Sequence, residues 1–486
     1  MREIDLIVFL VFTGIVVVTG ASFFRRKSSA RDFTSAGGSI PGWVVGMSIL
    51  STYISSISYL GNPGMSFSGN WNGFVFNLST PIAAYIAARY FVPFYRRQTT
   101  VSTYKFLEQR FGRWASIYAS MCYLLTQISR IGSIMFLLAL PMNMLLGWDI
   151  KTVIAVTGAA IIFYSVMGGI RGVIWTEAIQ GFIMIGGAVV CLAILLFSVP
   201  GGPSHVVEVA MSDNKLSLGS FSLADFSTST FWVCMLYGIF INLQNFGIDQ
   251  NYVQRYHTTK TLKAAQQSVL SGSWILIFVS AVFFMIGTAL YVYYKVNAGM
   301  LPEGIGGDQA FPYFIVHQLP EGMTGLLIAS IFAAGMSTVA TGITSSATII
   351  YTDYFHPLCP DASERLRLAV LKVSGAVIGV LGIVVAMMLV HVDSILDAWW
   401  KLSSVFSGGM LGLFLLGYVV KRATRVDAIL GIVCGVLVIG WISVWKFFGL
   451  PNPHVHEYLA VVLGTTTIFL VGFLSCRLLG CYRSLK

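Results

Sequence analysis

The stretch Ser48-Ile49-Leu50-Ser51-Thr52-Tyr53-Ile54-Ser55-Ser56-Ile57-Ser58, followed closely by Gly61-Asn62-Pro63-Gly64, decides how this chain is read. It lies in an apolar run of roughly residues 41–60, yet it carries hydroxyls and helix breakers where a membrane span should be apolar and regular. Ser51, Ser55 and Ser58 recur at i, i+4 and i+7 and so share one helix face. Carbonyls freed by a break in hydrocarbon are tolerable only where they line a cavity or bind something.

A second stretch has the same character: Gly238-Ile239-Phe240-Ile241-Asn242-Leu243-Gln244-Asn245-Phe246-Gly247-Ile248-Asp249-Gln250, inside the run 229–254. Four further spans separate the two, so each could open one half of a five-plus-five arrangement whose halves have opposite orientation. Paired broken helices at equivalent positions point to a midplane binding site in secondary transporters. The competing reading of any single residue here is that Ser, Gly and Asn let helices pack closely.

The composition agrees. Of 486 residues, 56% are apolar and only 10% charged, and the mean hydropathy is +0.78, whereas an ordinary soluble domain is about a quarter charged. Thirteen apolar runs are expected, at roughly 4–24, 41–60, 71–95, 115–145, 152–168, 173–199, 229–254, 267–294, 311–350, 366–390, 394–420, 426–448 and 457–480. At about 20 residues per span they use about 260 residues and leave short loops. The chain therefore reads as a single all-α polytopic membrane domain over residues 1–486, with no soluble domain and no fused kinase or sensor after Arg477.

The first run has acidic residues at its start, lacks a small-x-small cleavage site and is followed by Arg25, Arg26 and Lys27, which argues for a retained span with the N-terminus outside. Alternate loops carry the basic residues, among them Arg96, Arg97, Lys105, Arg110, Arg113, Arg171, Arg255, Lys260, Lys263, Arg365, Arg367, Lys372, Lys421, Arg422 and Arg425. Only Arg2, Lys151, Lys215, Lys295 and Lys446 fall on the other side, so thirteen spans place the C-terminus in the cytoplasm. The net charge of +10 is thus a matter of topology, and no nucleic-acid partner is inferred from it. The seven cysteines lie in apolar runs or beside basic loops, so no extracellular disulfide framework is expected.

Arg130, in Gln127-Ile128-Ser129-Arg130-Ile131-Gly132, sits mid-span with no acid within seven positions. A charge there costs about 3 kcal/mol on insertion scales unless it is solvated or paired. It either pairs with a distant acid such as Asp249 or Glu177, or faces a cavity and holds a substrate carboxylate, for which a guanidinium is well shaped. A hydroxyl stripe runs through Ala333-Ala334-Gly335-Met336-Ser337-Thr338-Val339-Ala340-Thr341-Gly342-Ile343-Thr344-Ser345. Neutral carbonyls and hydroxyls of this kind can hold Na+, though the stripe alone is equally compatible with a packing face. Asp393, Asp397 and Lys401 could form a solvated patch at the outer end of the eleventh run. No clustered catalytic groups and no phosphate-cradling Gly-rich loop are present, so neither an enzyme nor an ATP-driven pump is expected. His454 and His456 read as a surface feature rather than a metal site.

The stretch Gly168-Gly169-Ile170-Arg171-Gly172-Val173-Ile174-Trp175-Thr176-Glu177-Ala178-Ile179-Gln180-Gly181 resembles the signature of the sodium:solute symporter family. Asn251-Tyr252-Val253-Gln254-Arg255-Tyr256 is similar to that family's motif after its second broken helix, and the resemblance covers essentially the whole chain. Within the family, the serines of the first broken helix, Asn70-Trp71, Arg130 and the Gly-Gly motif are most similar to bacterial sodium-coupled sialic acid symporters.

The resemblance implies a leucine-transporter-like 5+5 inverted repeat, with residues 4–24 as an extra N-terminal helix, 41–199 and 229–420 as the two repeats, and 426–480 as two further helices. It implies a bacterial inner-membrane protein that imports an acidic sugar with Na+ by alternating access. It places the main sodium site at backbone oxygens of Ser51, Ile54 and Ala334 and the hydroxyls of Ser337 and Thr338. It places the substrate carboxylate on Arg130, with Ser55, Ser56 and Ser58 beside it and two altered positions, Asn77 for a glutamine and Gly73 for an aromatic residue. A second sodium site known in some relatives falls on Tyr53, Glu177, Ala340 and Thr341, whose residue types differ from the pattern, so one well-formed sodium site and an incompletely built second are expected. The alternatives are a Na+ symporter for another small carboxylate or a neutral sugar and, from a different class, an ion channel. The expected partners are a small anionic solute and membrane lipid, and the sequence is compatible with a monomer.

Overall fold

A computed structural model describes residues 3–23, 29–98, 100–302, 304–390, 409–445 and 451–483. Among these the chain is almost wholly helical, with one isolated β-bridge between Ile40 and Thr259. Nine described helices are long and apolar enough to cross a membrane, ten if one bent pair counts as a single span. Large apolar side chains such as Phe163, Phe182, Trp274, Phe278, Val373 and Leu437 are exposed. In water such a surface would aggregate, whereas against lipid tails it is the ordinary outer face of an integral membrane protein.

Helix α1 (Glu3–Ser22) is followed by α2 (Ala30–Ser35) and then by the first broken pair, α3 (Gly42–Tyr53) and α4 (Ser56–Ser68). Short helices α5 (Phe74–Leu78), α6 (Thr80–Ile86), α7 (Val92–Arg96) and α8 (Lys105–Phe111) make up the third apolar run and the loop after it. Long helices α9 (Arg113–Leu146) and α10 (Ile150–Ser198) come next, then α11 (Gly202–Ser212) in the loop beyond. The second broken pair is α12 (Phe231–Ile248) and α13 (Gln250–Tyr256). The remainder is α14 (Leu262–Val296), α15 (Gly307–His317), α16 (Met323–Ile349), α17 (Glu364–Leu389), α18 (Met410–Val419), α19 (Arg425–Val444) and α20 (Leu459–Arg483).

Two elements differ from the runs read in the sequence. The fifth and sixth runs follow one another without a loop in the 49-residue α10, which is two helices meeting at a kink. It breaks at Gly169, where φ is 54° and ψ −161°, a conformation in which any side chain is strained. Phe33 of α2 packs into the notch, 3.0 Å from where a Cβ would lie. The ninth run divides into α15 and α16 because Pro320 and Gly322, the latter at φ 82°, stop one helix before the next begins. The eleventh run is described only from Gly409 onward, and Asp393, Asp397 and Lys401 lie outside the described residues.

Helix α16 is the innermost element, with nearly every residue from Thr324 to Ile349 buried. Helices α1, α3, α9, α10 and α17 pack around it. Asp5 of α1 reaches its start, accepting from the amides of Gly322 at 2.8 Å and Gly325 at 2.9 Å, so a carboxylate sits on the positive end of the helix dipole. Helix α14 braces the first broken pair through close backbone contact. A Cβ on Gly287 would lie 2.1 Å from the Pro63 carbonyl oxygen, a separation only glycine permits. Such contact matters because dispersion, rather than water exclusion, drives helix association in lipid.

Candidate functional site

Helix α3 ends at Tyr53, and Ile54 and Ser55 are extended before α4 begins. The break lies against α16. Ser337 Oγ donates to the Ser51 carbonyl oxygen at 2.9 Å and to the Ala334 carbonyl oxygen at 2.9 Å, while Thr338 Oγ1 donates to the same Ala334 oxygen at 3.1 Å. Ser51, Ala334, Ser337 and Thr338 are therefore brought into one oxygen cluster, with Ile54 at the adjoining turn of the break. The donor set is all neutral oxygen, the chemistry a weakly held hard cation requires. Ser51 Oγ points away from it and donates to the Glu177 carbonyl oxygen at 2.7 Å.

The second break is built differently. Asp249 is extended and caps α13, its Oδ1 accepting from the Asn251 amide at 2.7 Å. The carbonyls it would free are already occupied: Tyr256 Oη donates to Phe246 O at 2.6 Å and Tyr95 Oη to Gly247 O at 2.8 Å. Gln250 is tied to the segment before α8, accepting from Thr103 and donating to Val101 O. Of the two breaks, only the first meets a hydroxyl-bearing helix with its own carbonyls.

Arg255, read in the sequence as a loop charge, is fully buried. It is tolerated there because Glu177 lies 2.6 Å from its Nη2, also with no exposed surface, and a buried pair must be well hydrogen-bonded to persist. Arg255 also donates to Ser48 Oγ at 2.7 Å, to Thr341 Oγ1 at 2.7 Å and to the Asn251 carbonyl, and Ser48 and Thr341 each donate to Glu177. The four residues of the altered second cation position are thus not gathered into one cage. Glu177 and Thr341 serve Arg255, and Tyr53 turns away to donate to Asn242 Oδ1 at 2.5 Å. Ala340, adjoining Thr341, supplies no side-chain oxygen.

At the start of α4, Ser55 Oγ caps the Ser58 amide at 3.4 Å, and Ser56 Oγ is buried with no hydrogen-bond partner among the described residues. Gly73 lies where a Cβ would meet Met65 Cε at 2.5 Å, so that position is filled from α4. Asn77 is buried on α5, which packs against α12. Arg130 stands on α9, a helix in contact with α4, and has no hydrogen bond or ion pair among the described residues. Of its two suggested acids, Glu177 is committed to Arg255. The structure brings Ser55, Ser56 and Ser58 together, but no described contact joins Arg130, Gly73 or Asn77 to them.

A sequence model of the sodium:solute symporter family matches residues 33–435. The chain belongs to that family. Among sodium:solute symporters it is 33% identical over 430 residues to the sodium/sialic acid symporter SiaT of Proteus mirabilis, covering 87% of this chain and 86% of the relative. It is 29% identical to the sodium/sialic acid symporter NanT of Aliivibrio fischeri, over 97% of this chain and 92% of that one. It is 28% identical to the mouse sodium-coupled monocarboxylate transporter 2, over 95% and 77%. A solved structure of a Na+-coupled sialic acid symporter in a substrate-bound outward-open state superposes with a TM-score of 0.91, at 29% identity and 98% coverage of both chains. The nucleobase-cation-symport-1 family transporter Mhp1 shares the fold at a TM-score of 0.63 and 16% identity.

Proposed function

We propose that this protein is a Na+-coupled secondary active symporter that imports a sialic acid by alternating access. The observation that carries the acidic substrate is Arg130, a guanidinium in the middle of a membrane helix with no ion pair among the described residues, on a helix in contact with α4, the serine-bearing second half of the first broken pair. Such a charge needs an anion, and a substrate carboxylate supplies one. Sodium is held by the carbonyls of Ser51, Ile54 and Ala334 and the hydroxyls of Ser337 and Thr338. It ties the break to α16, so that ion and solute favour the same state and each raises the other's affinity.

The full arrangement is thirteen spans in a single domain, with residues 41–199 and 229–420 as inverted repeats, the N-terminus outside and the C-terminus in the cytoplasm of a bacterial cell. It works as a monomer in lipid. Ser55, Ser56, Ser58, Gly73, Asn77 and Arg130 form the substrate site. Tyr53, Glu177, Ala340 and Thr341 hold no second sodium, because Arg255 neutralises Glu177.

Uptake of labelled N-acetylneuraminic acid into proteoliposomes, with and without an inward sodium gradient, tests this. Accumulation only with the gradient is expected. Its absence in both conditions, in protein that sodium still stabilises against heat, would sink the sugar while leaving the symporter. A second reading, transport of a small monocarboxylate, is favoured by the altered Gly73 and Asn77 and by the likeness to the mouse transporter. Competition by short-chain carboxylates separates the two.

A further inference from the structure

The second break contains an acid that the proposed transport cycle has not used. Asp249 caps α13 through Oδ1, and Oδ2 makes no hydrogen bond among the described residues. The residue lines a small cavity, about large enough for one water, together with Tyr104, Tyr123, Thr126, Gln127 and Gln244. The hydroxyl of Tyr104 and the Oε1 of Gln244 are buried here without partners, so the space is polar and open to a further charged or hydrogen-bonding group. Thr126 and Gln127 precede Arg130 on α9 by four and three residues, which puts all three on one face. Arg130 is thus one helical turn from this cavity.

We infer that Asp249 is the internal counter-ion of Arg130, pairing with the guanidinium once the substrate carboxylate has left so that the unloaded carrier can reset. This rests on the reading of Arg130 as the carboxylate clamp. An arginine crossing a closed, dry interior is costly without an anion. On the loaded passage the substrate brings one; on the return the protein must supply its own. Among the acids of this region Glu177 is held by Arg255, whereas Asp249 has a carboxylate oxygen to spare and faces the adjoining cavity. A long arginine side chain can swing a full helical turn, so pairing requires no unfolding of either helix. The same pairing competes with the substrate carboxylate and so favours release.

The alternative is that Asp249 serves only to cap α13. Asp249→Asn separates the two roles, because Asn caps a helix as well as Asp but carries no charge. Reconstituted protein is compared for net uptake of labelled N-acetylneuraminic acid and for exchange against the unlabelled acid preloaded inside, a mode that needs no empty return. In D249N the ratio of net uptake to exchange is expected to fall roughly tenfold, within the usual range for coupling between two sites, with tighter apparent substrate binding. An unchanged ratio and affinity would overturn the role. So would a parallel loss of both modes in protein with wild-type thermal stability.

Should D249N not be recovered folded, Asp249→Ser caps without charge and carries the same expectations. Asp249→Glu, which keeps the charge, must hold the ratio near that of the wild type. Failure of the underlying reading looks different: the wild type would then take up no sugar acid, or Arg130→Gln would take it up unimpaired.

Discussion

Arg255 Nη2 lies 2.6 Å from a carboxylate oxygen of Glu177, and neither side chain has any surface exposed. This pair joins α13, which follows the second break, to α10, and through Ser48 and Thr341 it also holds α3 and α16. Because each charge is buried against the other, removing one is worse than removing both. Arg255→Met or Glu177→Gln alone is expected to lower stability by about 3–5 kcal/mol, and the double substitution Glu177→Met with Arg255→Met by much less. Thermal unfolding of the detergent-solubilised variants measures this, and additive losses would contradict it.

The same guanidinium bears on the number of sodium ions. Glu177 and Thr341 are both engaged by Arg255, so a second cation would have to displace a fixed positive charge. Uptake is therefore expected to depend on sodium hyperbolically, with a Hill coefficient of about one. One sodium with one monovalent anion moves no net charge. An inside-negative diffusion potential should leave the uptake rate unchanged, whereas strong stimulation by that potential would mean that a second cation travels.

The first break and the α16 stripe were legible in the sequence because hydroxyls in hydrocarbon are conspicuous against their apolar surroundings. Arg255 was not legible. A count of basic residues by loop treats every Arg near a span end as solvated, and the acid that buries this one lies 78 positions away. Tyr95 and Tyr256, which occupy the freed carbonyls of the second break, carry no signal at all, since buried tyrosines are ordinary core. Hence the two breaks look alike in sequence but differ in what their carbonyls are free to bind. The direct joining of the fifth and sixth runs at Gly169, with no loop between them, was likewise hidden, because a Gly-Gly pair reads equally as a loop or as a hinge.

Ser337 supplies the hydroxyl that meets both the Ser51 and Ala334 carbonyl oxygens. Ser337→Ala removes one oxygen from the proposed ion cage while leaving a small side chain of good helix propensity. The sodium concentration for half-maximal uptake is expected to rise roughly ten- to hundredfold, the scale of losing one hydrogen-bonding or ligating contact to a charge. Thr338→Ala should act in the same direction. Sodium-dependent thermal stabilisation provides a readout independent of transport, and an unshifted sodium dependence in both assays would remove Ser337 from the site.

Arg130→Ala is expected to abolish uptake of the acidic sugar without unfolding the protein, since no described hydrogen bond or ion pair is broken. Arg130→Lys keeps the charge but loses the planar fork that grips two carboxylate oxygens, so apparent affinity should weaken by about tenfold or more. Initial rates over a substrate series, with sodium saturating, distinguish the two. If Arg130→Ala transports the acidic sugar normally, the clamp is elsewhere.

His257 follows α13 in the loop to α14 and gives the chain a pH dependence of its own. Arg96 grips the loop around it, donating to the carbonyls of Tyr256 at 3.3 Å and Thr259 at 3.0 Å. Burial, aided by the charge of Arg96, pushes the imidazole down from its ordinary 6.5 to about 4, and its Nε2 has no partner among the described residues. The folded protein therefore holds His257 neutral where the unfolded chain would protonate it. Stability from this group is complete above pH 6.5 and is lost as the pH falls toward about 4, by on the order of 3 kcal/mol in all. His257→Gln keeps the ring-sized polar volume without the titration. The variant's unfolding midpoint should drop less than that of the wild type between about pH 7 and about pH 4.5. Equal drops would show that the acid sensitivity of this protein resides in other groups.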